Sequence, residues 1–222
     1  MKKNTILLLL FLTTAIGTAQ QIYVEGGKTI SSFDYTNSQG QVLGNLQASA
    51  HSFMALGYRD QVFTNKLNGS IGLAFAGYGA IGSDDSIENY MEWDVNYLEF
   101  NVGLDYEFYK IKEATLYVKG TSSAAFLVQG TQTLNKKVIN LKGTDDFNKP
   151  VFNFRMGLGI SYPISENLAV YAQYMVGKSL DMASGNETLK IKSNNVSFGL
   201  LINISKKQTT ETATTKKILP KT

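Results

Sequence analysis

The chain has 222 residues, a formal net charge of +3 and no cysteine, so its length fits one domain and no disulfide stabilises the fold. Lys2 and Lys3 contribute +2 and residues 205–222 contribute +4, which leaves −3 on residues 20–204. This distribution excludes the basic footprint of a nucleic-acid-binding protein, and no nucleic-acid partner is expected.

The N-terminus has the form of a secretory signal peptide. Lys2 and Lys3 precede an apolar run from Ile6 to Ile16, and small residues follow up to Ala19. The run is shorter than the ~20 residues of a membrane-spanning helix, so we predict cleavage after Ala19 rather than retention as an anchor. We therefore divide the chain into a signal peptide (1–19), one exported domain (20–204) and a disordered periplasmic tail (205–222).

Alternating apolar and polar residues predict eight β-strands in the exported domain. The strands lie near 22–34, 51–60, 66–80, 96–110, 114–132, 151–163, 168–181 and 190–204. The connections near 35–50, 81–95, 133–150 and 182–189 are long, and those near 61–65, 111–113 and 164–167 are short. Outer-membrane barrels have long loops at the outer rim and short turns at the periplasmic rim. We predict an all-β fold, an eight-stranded, antiparallel, closed transmembrane β-barrel with both termini in the periplasm.

The fourth predicted strand shows the facing most clearly. From Leu98 to Phe108, apolar residues alternate with polar ones such as Glu99 and Asp105. A period of two indicates a strand with one apolar and one polar face. A soluble sandwich is the alternative, but alternation over about 9–11 residues matches a membrane-crossing strand, whereas soluble strands average about 5–6 residues. The pattern leaves the facing of the first, second and fifth strands open.

Aromatic residues near the strand ends predict two interfacial girdles. The outer girdle would contain Tyr78, Trp93 and Tyr97, and the periplasmic girdle would contain Tyr58, Tyr109, Tyr117 and Tyr162.

Charged residues on the polar faces are expected to point into the lumen. The candidates are Arg59, Glu99, Asp105, Glu107, Lys119 and Arg155. Unpaired buried charges cost several kcal/mol each, so we predict an ion-pair network in which Glu107 opposes Lys119. Eight strands enclose little more than their own side chains, and the barrel is therefore not expected to act as a diffusion pore.

The final strand resembles the signal that the outer-membrane insertion machinery reads. Ser197, Gly199, Ile202 and Ile204 occupy its polar, glycine and apolar positions, although Ile204 stands where an aromatic residue is usual. The first strand and loop, from Gly26 to Gly40, resemble the opening of small flavobacterial, PorT-like outer-membrane barrels of the OmpA and OmpX type. The resemblance implies the barrel fold, an outer-membrane location, contact with membrane lipid and lipopolysaccharide, and assembly by the insertion machinery. It implies no particular activity.

The second long connection is acidic. It contains Asp84, Asp85, Glu88, Glu92 and Asp94. Oxygen ligands at this density could hold Ca²⁺, but the spacing is not that of an EF-hand. We interpret these residues as a candidate interaction surface, and we expect neither a metal site nor another cofactor.

His51 is the only histidine, and Ser49 and Ser52 lie beside it. Two known eight-stranded barrels, the lipid A palmitoyltransferase and deacylase, use a histidine with a serine and a carboxylate near this level, because histidine can take the proton of an attacking serine. The sequence alone assigns no carboxylate to His51, so we predict no enzyme.

The leading hypothesis is a structural or interaction role in envelope integrity, in surface contact or as a small subunit of an outer-membrane complex. A narrow channel for small solutes is the second hypothesis. A lipid A-modifying enzyme that uses His51 is the third.

Overall fold

The computed structural model describes residues 21–42, 46–84, 89–144, 147, 149–183 and 186–204. Its strands are β1 (Gln21–Thr36), β2 (Leu46–Gln61), β3 (Leu67–Asp84), β4 (Asn89–Ile111), β5 (Ala114–Leu134), β6 (Lys137–Asn140), β7 (Val151–Pro163), β8 (Leu168–Ser179) and β9 (Thr188–Asn203). The predicted signal peptide and tail lie outside this range. The described residues include no helix long and apolar enough to cross a membrane.

Eight of these strands form a ring. β1 to β5 pair in order, β5 pairs with β7, and the pairing continues through β8 and β9 back to β1. β6 stands outside the ring and pairs only with the end of β5. All pairings are antiparallel. The predicted all-β, eight-stranded antiparallel fold is therefore confirmed.

The two ends of the ring differ in their connections. Gln21 of β1 pairs with Asn203 of β9, so the first and last strands begin and finish at one end, which we call the terminal end. The short turns 62–66, 112–113 and 164–167 lie there as well. The opposite end, the loop end, carries the remaining connections.

Several strands run further towards the loop end than predicted. β3 continues to Asp84 and β4 begins at Asn89, so most of the expected loop 81–95 is a paired hairpin. The expected loop 35–50 shrinks to 37–45, and a β5–β6 hairpin occupies the start of the expected loop 133–150. These predicted boundaries are wrong because apolar alternation stops at the edge of the lipid-facing band, whereas backbone pairing continues beyond it.

The outward face is apolar around the middle of the barrel. On β4, Leu98, Phe100 and Leu104 are about half-exposed, whereas Glu99 and Asp105 between them are buried. β1 has the same arrangement, with Val24 and Ile30 outward and Tyr23, Glu25 and Thr29 inward. Each ring strand pairs on both sides and presents no open edge. We therefore expect the folded protein to resist SDS until it is boiled, and gel mobility before and after boiling reports whether a variant has folded.

Of the predicted girdle residues, three at the terminal end face outward. Outward, half-exposed tyrosines there are Tyr58, Tyr109 and Tyr162. The other predicted members are wrong, because strand parity turns them inward: Tyr78, Tyr97 and Tyr117 are at most 5% exposed, and Trp93 packs edge-on against Phe33.

Candidate functional site

The lumen near the terminal end contains a charged cluster centred on Arg59. Its guanidinium donates to both oxygens of Asp105, at 3.1 and 2.5 Å, and to Glu107 at 3.0 Å. Gln21 accepts a further bond from Arg59 at 2.7 Å, and the Asn68 amide donates to both carboxylates. The guanidinium of Arg59 thus joins β1, β2 and β4 on the inner wall of the barrel.

Glu25 forms the next polar layer. Its carboxylate accepts from the Gln173 amide at 2.7 Å and from the Tyr171 hydroxyl at 3.0 Å. Tyr117 donates to the same glutamine at 3.2 Å. The Tyr117 ring lies against Gly159 on the neighbouring strand, where an added Cβ would come within 2.2 Å of the ring. Only glycine permits this close approach, so the tyrosine can lie flat against the wall.

A second ion pair, between Glu99 and Arg155, lies nearer the loop end. The Arg155 guanidinium is 2.6 Å from both Glu99 oxygens and also contacts the Tyr78 hydroxyl. Tyr78 and Asn153 donate to Glu99 as well, at 2.5 and 3.2 Å. Glu99 is 0% exposed, so this carboxylate depends entirely on these partners for solvation.

Apolar side chains fill the bore above this pair. Buried members from the wall and the loops are Phe33, Val95, Tyr97, Leu141, Phe147, Val151, Met182 and Ile191. Leu141, Phe147 and Met182 come from connecting segments that fold back into the mouth of the barrel. We call this group the apolar cap. Sequence reasoning missed it because isolated apolar residues in polar loops do not indicate where the loop folds.

All six lumen candidates lie on the inward face, but one expected pair is wrong. Glu107 bonds to Arg59, whereas the Lys119 ammonium lies 5.5 Å from the centre of the Tyr23 ring. The β4–β5 register explains the difference, because it places Lys119 opposite Asp105 and Glu107 opposite Tyr117.

The acidic candidates do not form one loop surface. Asp85 and Glu88 lie outside the described residues, and Asp84 ends β3. Glu92 and Asp94 belong to β4, where Glu92 accepts from the Tyr90 hydroxyl at 2.8 Å. In the part of the chain that the structure describes, no group of three or more His, Cys, Asp or Glu side chains is placed to hold a metal ion.

The residues of the predicted insertion signal alternate along β9 and the residue that follows it. Ser197 is fully buried and Gly199 lies against the Tyr171 ring, whereas Ile202 and Ile204 point outward. Recognition by the insertion machinery stays a prediction.

Ser49, His51 and Asp94 meet near the loop end. Ser49 Oγ lies 2.7 Å from His51 Nε2, and Asp94 Oδ1 lies 3.6 Å from Nδ1 of the same ring. Ser49 is partly buried, the His51 side chain is 16% exposed and that of Asp94 is 51% exposed. The carboxylate that the sequence did not assign to His51 is therefore supplied by β4, two strands away.

A β-bulge in β2 builds this arrangement. The β2–β3 register shifts between Ala48 and Phe53. At the bulge, the backbone N–H and C=O of Gly79 on β3 bond to Ser31 of β1 instead of to β2. The Gly79 amide donates to Ser31 Oγ at 2.8 Å, and the Gly79 carbonyl accepts from the same hydroxyl at 3.1 Å. The displaced stretch of β2 then lays Ser49 and His51 against β3.

Lysines stand on the outward face of β1, β8 and β9 towards the loop end. Lys178 and Lys192 both lie about 3 Å from Asp34, at 3.0 and 3.1 Å, and Lys28 approaches the Ser52 hydroxyl at 3.5 Å. Lys28, Lys178 and Lys192, which we call the lysine strip, are exposed. They carry more positive charge than Asp34 neutralises.

Comparison with known proteins gives a family match. A family model described as outer membrane protein beta-barrel domain matches residues 19–177. The comparison with curated proteins gave no match.

Three solved structures to which this chain is similar share 12% sequence identity with it. Neisserial surface protein A is 12% identical, with 82% of this chain and 96% of that chain covered and a TM-score of 0.44. OprG from Pseudomonas aeruginosa is 12% identical, with 83% of this chain and 96% of that chain covered and a TM-score of 0.45. Ail, the attachment invasion locus protein of Yersinia pestis, is 12% identical, with 84% of this chain and 100% of that chain covered and a TM-score of 0.41.

Proposed function

Because this chain belongs to the family of outer membrane protein β-barrel domains, we propose that it is a closed outer-membrane barrel whose function lies in contacts made at its loop end. The observation that carries the proposal is the filled lumen. Two ion-paired layers centred on Arg59 and Arg155 lie in the bore, and the apolar cap lies above them. A barrel of eight strands has little interior beyond these side chains, so the surfaces left for recognition are the rim and the outer wall.

The loop end would face the outside of the cell, with both termini in the periplasm. The lysine strip supports this orientation. Towards the loop end, Lys178 follows the outward, half-exposed Val176 on β8, and Lys192 lies beyond the outward Val196 on β9. Phosphate groups of lipopolysaccharide lie at that level in the outer leaflet, and ammonium groups bind phosphate by charge-assisted hydrogen bonds. Outer-leaflet lipid is therefore the first partner that we propose.

Two hairpins at the loop end offer surfaces of opposite charge to a protein partner. The β5–β6 hairpin presents Lys136 and Lys137, both exposed, and the β3–β4 hairpin presents Glu92 and Asp94. A scaffold that holds both hairpins rigidly suits a small subunit of an outer-membrane complex or a surface-contact protein. The partner would carry charges of both signs.

The lumen can be tested by conductance. We expect the purified, heat-modifiable protein to give no steady current in planar bilayers, because the ion-paired layers and the apolar cap obstruct the bore. Stable channels of uniform size would contradict the proposal and favour the alternative, a narrow channel for small solutes.

The hairpins can be tested by charge reversal. We expect the double variant Lys136→Glu/Lys137→Glu, and separately Glu92→Lys, to lose proteins that co-purify with the parent from native membranes. The matched control is Lys66→Glu, which reverses an exposed charge in a turn at the terminal end. All variants should keep the gel shift of the folded barrel, because these side chains lie outside the lumen. Unchanged co-purification in both hairpin variants would contradict a partner at the loop end.

A further inference from the structure

We propose that Ser49, His51 and Asp94 form an ester-hydrolysing site that acts on an acyl ester of an outer-leaflet lipid. This activity goes beyond the proposed interaction role and does not depend on it.

The three side chains have the order that acyl transfer needs. A serine hydroxyl becomes an effective nucleophile when a histidine nitrogen within hydrogen-bond reach accepts its proton. Ser49 Oγ and His51 Nε2 meet this condition at 2.7 Å. Asp94 lies 3.6 Å from Nδ1, the other nitrogen of the His51 ring. A carboxylate in this position favours the tautomer that is protonated on Nδ1, and it stabilises the imidazolium that forms when His51 takes the serine proton. Such contacts are often long in a protein without substrate and tighten when substrate binds.

The surrounding wall is shaped to hold this group. A Cβ at Gly77 would lie 2.7 Å from His51 Cβ, and a Cβ at Gly79 would lie 2.4 Å from His51 Nε2 and 2.8 Å from Ser49 Oγ. Bulges recur beside active sites because they re-aim side chains. Room for the serine–histidine pair is made by the β2 bulge, the two glycines of β3 and the contact of Ser31 with Gly79. The pair takes no part in the ion-paired layers or in the strand pairing that closes the ring.

Position in the wall indicates the substrate class. On β4 the outward residues change from Leu98 to Asn96 and Asp94, and on β2 they change from Met54 to Ser52. Ser49 therefore lies just beyond the apolar band, in the layer between acyl chains and headgroups. Lipid acyl esters occupy this layer. Lys28, 3.5 Å from the Ser52 hydroxyl, places a cation for a lipid phosphate on the strand next to β2.

The proposed reaction conserves every atom of ester and water. Ser49 Oγ bonds to the ester carbonyl carbon while its proton passes to His51 Nε2. The bond to the leaving oxygen then breaks, and His51 gives its proton to that oxygen, which releases the alcohol. Water next attacks the acyl-serine, with His51 as the base, and releases the carboxylic acid. The final proton returns to Ser49.

The experiment measures fatty-acid release from phosphatidylethanolamine vesicles that contain the purified full chain, together with labelling by a fluorophosphonate probe. We expect Ser49→Ala and His51→Ala to lower release by about 100-fold or more and to abolish labelling. Asp94→Ala, which removes a positioning residue, should lower kcat about tenfold with KM unchanged, and Asp94→Glu should recover part of the loss. Ser161→Ala, near the terminal end of β7 and away from this site, is the matched control and should retain release.

Boiled and unboiled gels establish that each variant has folded. Folded parent protein that neither labels nor releases fatty acid overturns the proposal, as does release that survives Ser49→Ala. Release from a soluble short-chain ester but not from vesicles overturns the lipid assignment. Phosphatidylethanolamine release that depends on Ser49, His51 and Asp94 but not on Ser161 supports it.

Discussion

Arg155→Met is expected to lower the free energy of unfolding by about 3–5 kcal/mol. The substitution leaves the Glu99 carboxylate at the centre of the bore, fully buried and without its guanidinium. Tyr78 and Asn153 would still donate hydrogen bonds, but neither supplies a compensating charge. The measurement is a urea titration of the heat-modifiable form in detergent or lipid.

The double variant Glu99→Leu/Arg155→Met is the decisive control. Removing both charges eliminates the unpaired carboxylate, so the double variant should be more stable than Arg155→Met alone. Lys178→Met provides a surface comparison, because it breaks an exposed pair with Asp34 and should change stability far less. A midpoint for Arg155→Met equal to that of the parent would show that the buried pair does not stabilise the barrel.

Leu104→Arg is expected to lower the free energy of unfolding by about 2–4 kcal/mol in lipid. Leu104 is 54% exposed near the middle of the outward apolar series from Leu98 to Phe108, so an arginine there would meet acyl chains. Unfolding midpoints in lipid vesicles measure the effect.

Gly120→Ala is the matched control for that substitution. Gly120 pairs with Leu104 at the same depth, and a Cβ there would meet nothing within 4 Å. A lumen-facing control, Gly103→Ser, is less suitable because a Cβ at Gly103 would lie 2.7 Å from Ser70 Oγ and 3.0 Å from Thr121 Cγ2. If Leu104→Arg lowered the free energy of unfolding no more than Gly120→Ala does, the outward facing of β4 would be contradicted.

Local alternation, together with the order of long and short connections, was sufficient to predict the fold. It identified the ring strands, and on β4 it separated Leu98 from Glu99 because a membrane imposes opposite demands on the two faces. The resemblance to small outer-membrane barrels is confirmed by the family match; its PorT-like detail stays a prediction. The pattern could not locate the true ends of β3 and β4, since their hairpin extends past the apolar band that creates the pattern.

The candidate sites depended on register, which a single sequence does not contain. Glu107 pairs with Arg59 rather than Lys119 because of how β2, β3 and β4 align. Asp94 reaches His51 only because a bulge displaces one strand and two glycines in another leave room. The sequence shows which residue types are present, but it does not show which of them come into contact in the folded barrel.

The bonds between Ser31 and Gly79 also bear on assembly. β1 and β9 are separated by most of the barrel sequence, yet these two strands must meet to complete the ring. Until they meet, the outer edge of β1 is an open template for wrong partners. Because Ser31 ties β1 directly to β3, the first three strands can hold that edge in register without any help from the last. The edge of β1 that β9 completes is thus held by contacts within the first three strands.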